Sequence, residues 1–415
     1  MNSFNKPAKN APFHEIPFEE IASRKQKAMA LMAKNGIDGL FLANQANVNY
    51  FSGYRTTWTT NWPQCLIFTR EGKMGLIVPQ IMHQFSLAST WLEDEDIRPY
   101  GGCSYWGHPQ DPLQLIIKTL KDFGLGEKTI GVESGTPVHP MLFAFADLEA
   151  MKKALPKATF KDAVPMIWKQ RMIKTPWEQA TIKKLVDISV KGVTRAIECA
   201  CVGMTEKELL QICWQTFIKE GACDTPMQGD MMFRGGATPY GMSTPRQVDR
   251  PLQKGSQLFF DGGASYKGYH LDFQRQMCFG EPSDLQRRLV EISEAGQRAA
   301  ESMIKPGNRV KDLHAAAMSV IDKVPSDLKA KGVEFLYSHT FMGHCEGLNI
   351  HEPEWITADC DTVIQPGMVI ALEIPALDIP QFRVLGGFPE DVYLVTEDGR
   401  EQLTAGIERK QYIIK

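Results

Sequence analysis

Two aspartates on either side of a short glycine-rich segment are the first residues in the sequence that suggest chemistry. Asp261 follows the apolar stretch Leu258–Phe260, and Asp272 closes the segment, which reads LFFDGGASYKGYHLD. The apolar stretch predicts a strand, and Lys267–Gly268 in the middle of the segment predicts a tight turn. The segment is therefore predicted to form a β-hairpin with one aspartate on each arm.

The predicted turn also fixes which residues of the two arms lie opposite each other. If Lys267–Gly268 is the loop, Gly263 pairs with Asp272. Asp261 shares a face with Gly263 because strand side chains alternate, so the two aspartates are diagonal neighbours about 7–8 Å apart at the backbone. Carboxylates at this spacing can reach one metal ion, or a pair of ions about 3.5–4 Å apart. A hairpin with two solvent-facing aspartates is the alternative.

Histidines cluster in a second segment, GHCEGLNIHEP at positions 343–353. His344 offers a neutral ring nitrogen as a metal ligand, and His351 could donate a hydrogen bond to a developing oxyanion. His339 lies just upstream. A loop in which the His-Glu-Pro run has no chemical role is the alternative.

Two further acids stand at the ends of predicted strands. Glu373 ends the apolar stretch Met368–Leu372, and Glu390 begins the stretch that continues as DVYLV. A carboxylate at the end of an apolar strand is costly unless it is paired or bound to metal, although a solvated strand edge is the alternative for each. Oxygen ligands with one imidazole suit Mn, Fe, Co or Zn, and the absence of cysteine ligands argues against a structural zinc site.

The chain that positions these residues has the size and composition of a two-domain globular protein. Its 415 residues exceed the length at which one hydrophobic core keeps growing. Apolar residues make up 43% and the net charge is −3 without a basic cluster, so no nucleic-acid partner is expected. Nine scattered cysteines without a CxxC pair, a polar N-terminus and no long apolar run predict a reduced, cytoplasmic setting without membrane contact.

Strands and helices alternate over the first part of the chain, which predicts a small α/β domain. The pattern predicts helices over 24–35, 112–123 and 141–155, and strands over 39–43, 65–69, 74–79 and 129–132. The pattern of predicted strands and helices changes near Met172–Pro176. The domains are predicted as 1–165 and 166–415. One group of aromatic residues in the first domain is interpreted as core or dimer packing, with a role in the substrate pocket as the alternative: Tyr54, Trp58, Trp62 and Trp106.

The second half of the chain contains a weak internal repeat. Leu185–Ser189 matches Leu289–Ser293, and at the same offset Gly192 matches Gly296. In each copy one predicted helix ends and a second begins shortly afterwards. The ungapped match favours a duplicated α+β unit, and a pseudo-two-fold domain of this kind commonly places its site between the halves.

In their order and spacing these segments resemble the pita-bread metallopeptidase family, which includes methionine aminopeptidase, aminopeptidase P, prolidase and creatinase-like enzymes. The two-domain plan is most similar to the aminopeptidase P, prolidase and creatinase branch, over nearly the whole chain. The resemblance implies an α+β protein with a C-terminal pita-bread fold, built by internal pseudo-two-fold duplication and preceded by a smaller α/β domain. It also implies a homodimer.

The resemblance assigns a role to each chemical residue. The implied ligands of two divalent ions (Mn, Fe, Co or Zn) are Asp261, Asp272, His344, Glu373 and Glu390, of which Asp272 and Glu390 bridge the ions. The implied reaction is that of an Xaa-Pro peptidase, in which metal-activated hydroxide attacks an amide carbonyl. Glu373 would pass the proton of the attacking water to the leaving nitrogen, and His351 would stabilise the tetrahedral intermediate.

Residues around the predicted centre depart from the pattern of the family's proline peptidases. Those enzymes carry a Pro-His pair before the hairpin, where this sequence has Pro239–Tyr240. They also carry an arginine two positions before the last ligand, where this sequence has Phe388. The predicted substrate-binding residues are Tyr240, Phe388 and His339.

The departures leave three hypotheses open. The first is an Xaa-Pro peptidase that acts on a small peptide. The second is a creatinase-like C–N hydrolase or lyase that acts on a small methylated or osmolyte-type metabolite, whose cationic group an aromatic face could bind. The third is a non-catalytic interaction module, against which the complete ligand set argues.

Overall fold

Two units make up the chain, Met1–Arg171 and Met172–Lys415. The sequence prediction ends the first domain at residue 165, whereas the contacts divide the chain after the helix that ends at Arg171. The computed structural model describes residues 14–55, 62–101, 112–135, 143–222, 251–335, 341–374, 377–379, 384–386 and 389–415.

The first unit is a mixed six-stranded sheet with helices packed against it. Its strands are β1 (Gly39–Leu42), β2 (Cys65–Thr69), β3 (Met74–Pro79), β4 (Ile97–Tyr100), β5 (Thr129–Val132) and β6 (Thr159–Asp162). Its helices are α1 (Phe18–Asn35), α2 (Gln45–Ser52), α3 (His83–Ser89), α4 (Pro112–Asp122), α5 (Phe145–Ala154) and α6 (Val164–Arg171). The strand order is β4-β3-β2-β1-β5-β6. Strand β2 runs antiparallel to both of its neighbours, and the other pairs are parallel.

The apolar strands of this unit are buried, as their sequences require. Every residue of β1, β2 and β3 is buried. Leu120 of α4 and Met151 of α5 join Ile67 and Ile130 of the sheet in one hydrophobic cluster, and burial of each such side chain contributes about 1.5–3 kcal/mol. The predicted α/β character of this domain is confirmed. Helix α1 ends at Asn35 and is capped by Gly36, the residue that stops the predicted helix, because glycine accepts the left-handed φ of 63°.

The second unit combines two helix pairs with one large sheet. Its helices are α7 (Pro176–Cys199), α8 (Glu206–Glu220), α9 (Asp284–Ser302), α10 (Val310–Ile321) and α11 (Ser326–Ala330). Its strands are β7 (Gln257–Gly262), β8 (Ser265–Tyr266), β9 (Tyr269–His270), β10 (Phe273–Phe279), β11 (Glu334–Phe335), β12 (Gly343–Cys345), β13 (Glu352–Trp355), β14 (Val369–Glu373), β15 (Leu377–Ile379), β16 (Val384–Leu385), β17 (Glu390–Val395), β18 (Arg400–Gln402) and β19 (Gln411–Ile414). Among the helices that the structure describes in either unit, none is long and apolar enough to cross a membrane.

The large sheet has the order β13-β12-β14-β17-β10-β19, with β7 also paired to β10 and β18 to β17. All of these pairs are antiparallel except that of β10 with β19. Helices α9 and α10 bury their apolar faces against β12, β14 and β17 in one hydrophobic cluster. The α+β architecture predicted for the second domain is confirmed.

The predicted hairpin forms with the predicted register. Tyr266 pairs with Tyr269, and the same register continues to Asp261, which pairs with Gln274. The turn residues Lys267 and Gly268 have positive φ values of 51° and 82°, as a two-residue hairpin turn of this kind requires.

The internal repeat corresponds to the two helix pairs, α7 with α8 and α9 with α10. Gly192 in α7 and Gly296 in α9 hold corresponding places, and each faces the second helix of its own pair. A methyl group on Gly192 would lie 2.3 Å from Phe217, whereas one on Gly296 would lie 3.2 Å from the flexible end of Ile321. An alanine at position 192 would therefore force α7 and α8 apart, whereas an alanine at position 296 would not separate α9 from α10.

We expect Gly192→Ala to destabilise the protein by about 1–3 kcal/mol, the usual cost of overpacking. Gly296→Ala is the matched control and should be close to neutral, because Ile321 can yield and alanine favours a helix by about 0.5–1 kcal/mol over glycine. Thermal unfolding of the two full-length variants measures the difference. Equal midpoints would show that the close helix contact at Gly192 is not required.

Candidate metal centre

The register of the large sheet places three of the five predicted ligands in one row. Asp261 on β7 pairs with Gln274 on β10. Gln274 in turn pairs with Glu390 on β17. Glu390 pairs with Glu373 on β14. Residues that lie directly opposite each other in a sheet point to the same face, so the three acids project together although they come from distant parts of the sequence.

The other two predicted ligands reach the same face from neighbouring rows. Asp272 stands two residues before Gln274, just ahead of β10. His344 on β12 pairs with Ala371 on β14, which stands two residues before Glu373. Because side chains alternate along a strand, Asp272 and His344 point to the same face as the row of acids.

Three overlapping groups of side chains in the described chain come close enough to share a metal ion. Within each group, one ligand atom per residue lies within 4.8 Å of the others. The groups are Asp261 with Asp272 and Glu390, His344 with Glu373 and Glu390, and Asp272 with His344 and His351. Asp272 and Glu390 each belong to two groups, which suits carboxylates that bridge a pair of ions.

His344 is held with one ring nitrogen directed at the carboxylates. Its Nδ1 lies 3.0 Å from the carbonyl oxygen of Cys345, which leaves Nε2 as the nitrogen with a lone pair. Nε2 lies 3.9 Å from Oδ2 of Asp272 and 3.9 Å from Oε1 of Glu390. Burial, together with His351, lowers the pKa of His344 to about 3, so the ring is neutral at physiological pH. Gly343 has to be glycine, because a methyl group there would lie 2.1 Å from a carbonyl oxygen of β14.

A bound cation would stabilise the buried carboxylates of the cluster in their ionised form. Oδ1 of Asp272, Nε2 of His344 and both side-chain oxygens of Glu390 are buried without a hydrogen-bond partner among the described residues. Burial raises the pKa of Asp272 well above its usual value, and the neighbouring Asp261 raises it further. Burial and the charge of Asp272 raise the pKa of Glu390 in the same way. Hard oxygen donors with one neutral imidazole fit a divalent metal ion, which would satisfy these atoms.

A buried ion pair on the opposite face fixes the strands that carry the site. Arg275 lies next to Gln274 on β10 and donates a 2.7 Å hydrogen bond to Oδ1 of Asp391, next to Glu390 on β17. A second bond of 2.9 Å joins the same guanidinium to the backbone oxygen of Glu390. Both side chains are almost fully buried. The pair therefore locks β10 against β17, and with them the positions of Asp272 and Glu390.

The sequence model of metallopeptidase family M24 matches residues 180–397, more than half of the chain and all five residues of this cluster. The chain belongs to metallopeptidase family M24. A second family model, the creatinase/prolidase N-terminal domain, matches residues 24–173 of this M24 member. The predicted relationship to the pita-bread metallopeptidases is confirmed.

Individual relatives of this M24 member match it over most of their length. It is 29% identical to the Xaa-Pro dipeptidase of Pyrococcus furiosus over 384 residues, which cover 92% of this chain and 97% of that protein. The crystal structure of the prolidase from Pyrococcus horikoshii OT3 superposes with a TM-score of 0.74 at 25% identity, covering 94% of this chain and 99% of that one. The X-Pro aminopeptidase from Thermotoga maritima shares the fold, with a TM-score of 0.76 at 22% identity and coverage of 94% and 99%.

His351 lies at the open side of the cluster in this M24 member. Its side chain is 39% exposed, and Nε2 lies 3.7 Å from Oδ2 of Asp272. The ring packs edge-on against His344, with centroids 4.5 Å apart, and also contacts Trp355. Burial lowers the pKa of His351, so the ring is neutral and can donate one hydrogen bond near neutral pH. The structure thus brings the predicted catalytic histidine next to two predicted ligands.

Sequence reasoning missed three buried polar residues beside the cluster. Glu346 is fully buried, and its Oε2 accepts a 2.9 Å hydrogen bond from the backbone NH of Asp272. Lys174 and Glu352 form a buried ion pair with an N–O distance of 3.0 Å. An acid two residues after His344 and directly before a glycine was the available signal, but the contact of Glu346 depends on tertiary structure.

Several predicted residues lie outside the described residues. They are the three predicted substrate-binding residues, Tyr240, Phe388 and His339, and two of the aromatic residues, Trp58 and Trp106. Of the remaining aromatic pair, Tyr54 is buried in the first unit and donates a hydrogen bond from its hydroxyl to Gln64, whereas Trp62 is 40% exposed.

The cluster also predicts how the stability of the metal-free protein depends on pH. Burial raises the pKa of Glu346 from 4.5 to about 8, so the folded protein keeps a proton that the unfolded chain has released. The raised pKa values of Asp272 and Glu390 act in the same direction, and stability therefore falls as the pH rises toward 8. The lowered pKa values of His344 and His351 make stability rise with pH, but only below 6.5, where the histidines of the unfolded chain are protonated.

We therefore expect the thermal unfolding midpoint of chelator-treated protein to fall by several degrees between pH 6.5 and pH 8. Saturation with a divalent metal should remove most of this dependence, because the cation compensates the carboxylate charges. A midpoint that rises across this range in the metal-free protein would contradict the electrostatic account of the cluster.

Proposed function

We propose that this M24 member hydrolyses Xaa-Pro dipeptides at a centre of two divalent metal ions. The proposed ligands are Asp261, Asp272, His344, Glu373 and Glu390. The observation that carries the proposal is that Oδ1 of Asp272 and both side-chain oxygens of Glu390 are buried with no hydrogen-bond partner among the described residues, and that these two acids share groups of ligand atoms within 4.8 Å with the neutral imidazole of His344. The Xaa-Pro dipeptidases among the relatives support the class of substrate.

The donor set defines what the metal ions would contribute. When bound, two divalent ions lower the pKa of water and polarise an amide carbonyl. Asp272 and Glu390 are the proposed bridging ligands because they are the two carboxylates that belong to two of the three groups; His344 also belongs to two, but it offers a single ring nitrogen. Manganese is the first metal to test, with Fe, Co and Zn as the alternatives that oxygen and nitrogen ligands accept.

The protein's own residues complete the proposed mechanism. Glu373, at the end of β14, is the proposed general base that takes a proton from the attacking water and delivers it to the leaving nitrogen. His351, partly exposed beside Asp272, is the proposed donor to the oxygen of the tetrahedral intermediate. The surrounding burial strengthens each of these electrostatic interactions because it keeps the local dielectric low.

We further propose that the enzyme works in the cytoplasm as a homodimer. The described cysteines are all free thiols, which supports a reducing compartment. The resemblance to the creatinase and prolidase branch supports the dimer. Light scattering coupled to size-exclusion chromatography tests this second point, and a monomeric mass would overturn it.

The test of the proposed activity is a peptide panel with defined metals. The purified protein is stripped with a chelator, reloaded separately with Mn²⁺, Fe²⁺, Co²⁺ or Zn²⁺, and assayed on Ala-Pro, Gly-Pro, Ala-Ala and Ala-Pro-Ala. We expect release of proline from the Xaa-Pro dipeptides, with little cleavage of Ala-Ala. Cleavage of Ala-Pro-Ala instead would replace the dipeptidase with an aminopeptidase.

Two further outcomes would overturn the proposal. Metal-loaded protein that cleaves none of the peptides would exclude the Xaa-Pro activity. Protein that cleaves the peptides equally well after chelation would exclude the metal centre as the site of the reaction.

A further inference from the structure

The hydrogen bond between Glu346 and Asp272 connects two of the segments that carry predicted ligands, the hairpin with Asp272 and the segment with His344. Glu346 directly follows β12, two residues after His344, and its backbone NH is bonded to the carbonyl oxygen of Val369 on β14. The residue is therefore anchored to the same strand that ends in Glu373. Its side chain is fully buried.

The partner of Glu346 is the backbone of Asp272 rather than its side chain. The described ladder between β7 and β10 begins at Phe273, one residue after Asp272. The NH of Asp272 donates instead to Oε2 of Glu346 at 2.9 Å. Nearby, the NH of His270 donates to the carbonyl oxygen of Gly347 at 2.8 Å. Two hydrogen bonds thus dock the returning arm of the hairpin onto the segment after His344.

Glu346 is not one of the residues whose ligand atoms converge. The three groups that could share a metal ion in the described chain do not include it. When ionised, Glu346 raises the pKa of Asp272 and of Glu390, and the ammonium group of Lys174 lowers the pKa of Glu346 in turn. Burying a carboxylate costs free energy unless the group is hydrogen-bonded or paired, so the hydrogen bond of Glu346 to Asp272 offsets part of that cost.

We propose that Glu346 is a positioning residue that fixes the backbone of Asp272, so that the Asp272 carboxylate is held for both metal ions. The inference rests on the proposed metal centre. Partners that orient metal ligands are typically worth 10–100-fold in metal affinity.

Two variants separate the hydrogen bond from the charge. Glu346→Gln keeps an oxygen acceptor at the same reach and removes the charge. Glu346→Asp keeps the charge and withdraws the acceptor by one methylene group. If Glu346 acts by positioning, the glutamine variant should keep Mn²⁺ affinity within about threefold of the parent protein, and the aspartate variant should lose about 10–100-fold.

The readouts are the dissociation constants for Mn²⁺, measured by calorimetry on chelator-treated full-length protein, and the electron paramagnetic resonance spectrum of the loaded protein. We expect the coupled spectrum of a two-manganese centre in the parent and in Glu346→Gln, and a larger single-ion component in Glu346→Asp. Glu301→Gln is the control, because Glu301 is a part-buried carboxylate bonded to Arg400 and Arg409 and touches none of the predicted ligands.

The possible failures are distinguishable. A parent protein that binds no Mn²⁺ would overturn the proposed function itself. A parent that binds two ions, with Glu346→Asp equal to it, would overturn the role of Glu346 alone. A loss of tenfold or more in Glu346→Gln would assign the effect to charge and overturn positioning, and this arm decides the matter even if the aspartate variant fails to fold.

Discussion

Asp272→Asn is expected to lower kcat/KM on an Xaa-Pro dipeptide by more than about 10³-fold, with loss of at least one metal ion. Asp272 belongs to two of the three ligand groups, and its Oδ1 is buried with no hydrogen-bond partner in the part of the chain that the structure describes. An asparagine of equal size supplies one neutral oxygen where two charged ones are needed. Because bound metal contributes several kcal/mol of charge stabilisation, its loss corresponds to three or more factors of ten in rate.

The measurements are steady-state kinetics and metal content by mass spectrometry on the same preparation. Asp327→Asn is the matched control, since it removes an exposed aspartate paired with Arg288 in the same unit and should leave both quantities unchanged. The metal-free Asp272→Asn protein should also unfold at a higher temperature than the metal-free parent at pH 8, because it lacks one of the crowded acids. Retention of two metal ions and of activity would remove Asp272 from the centre.

His351→Asn is expected to lower kcat by about 10²–10³-fold while leaving metal content unchanged. His351 is a partly exposed member of the cluster, next to Asp272 and edge-on to His344. A neutral ring in this place can donate to an oxygen that gains charge during the reaction. Because such a bond forms mainly in the transition state, KM should change little.

The same variant distinguishes two roles, because His351 also appears in a group that could hold metal with Asp272 and His344. Metal loss in proportion to activity loss would make His351 a ligand instead of a donor. Unchanged kcat would exclude it from catalysis. His83→Asn is the control, since His83 pairs with Asp94 in the first unit and should have no effect.

Features of short sequence segments, such as turn residues and the alternation of strand side chains, were sufficient to predict much of the fold. The turn at Lys267–Gly268 set the register of the hairpin, and the alternation of strand side chains then put Asp261 and Asp272 on one face, as the structure has them. Helix ends at glycine and apolar strands such as 65–69 followed from the same local chemistry. These features depend on residues close together in the sequence.

The convergence of the site depends instead on strand order. Glu390 lies opposite Gln274 and Glu373 only because β17 inserts between β10 and β14, and no periodicity in the sequence encodes that arrangement. The resemblance to a known family, not the pattern of residues, brought the five ligands together in the sequence prediction. Glu346 went unnoticed for the same reason, since its partner Asp272 is distant along the chain.

Anomalous X-ray diffraction from crystals of the manganese-loaded protein tests the central claim most directly. The account predicts two anomalous peaks, both within coordination distance of Asp272 and Glu390, one of them also bound by Asp261 and the other by His344 and Glu373. No peak, or peaks bound by other residues, would contradict the account of these five side chains as a dinuclear metal centre.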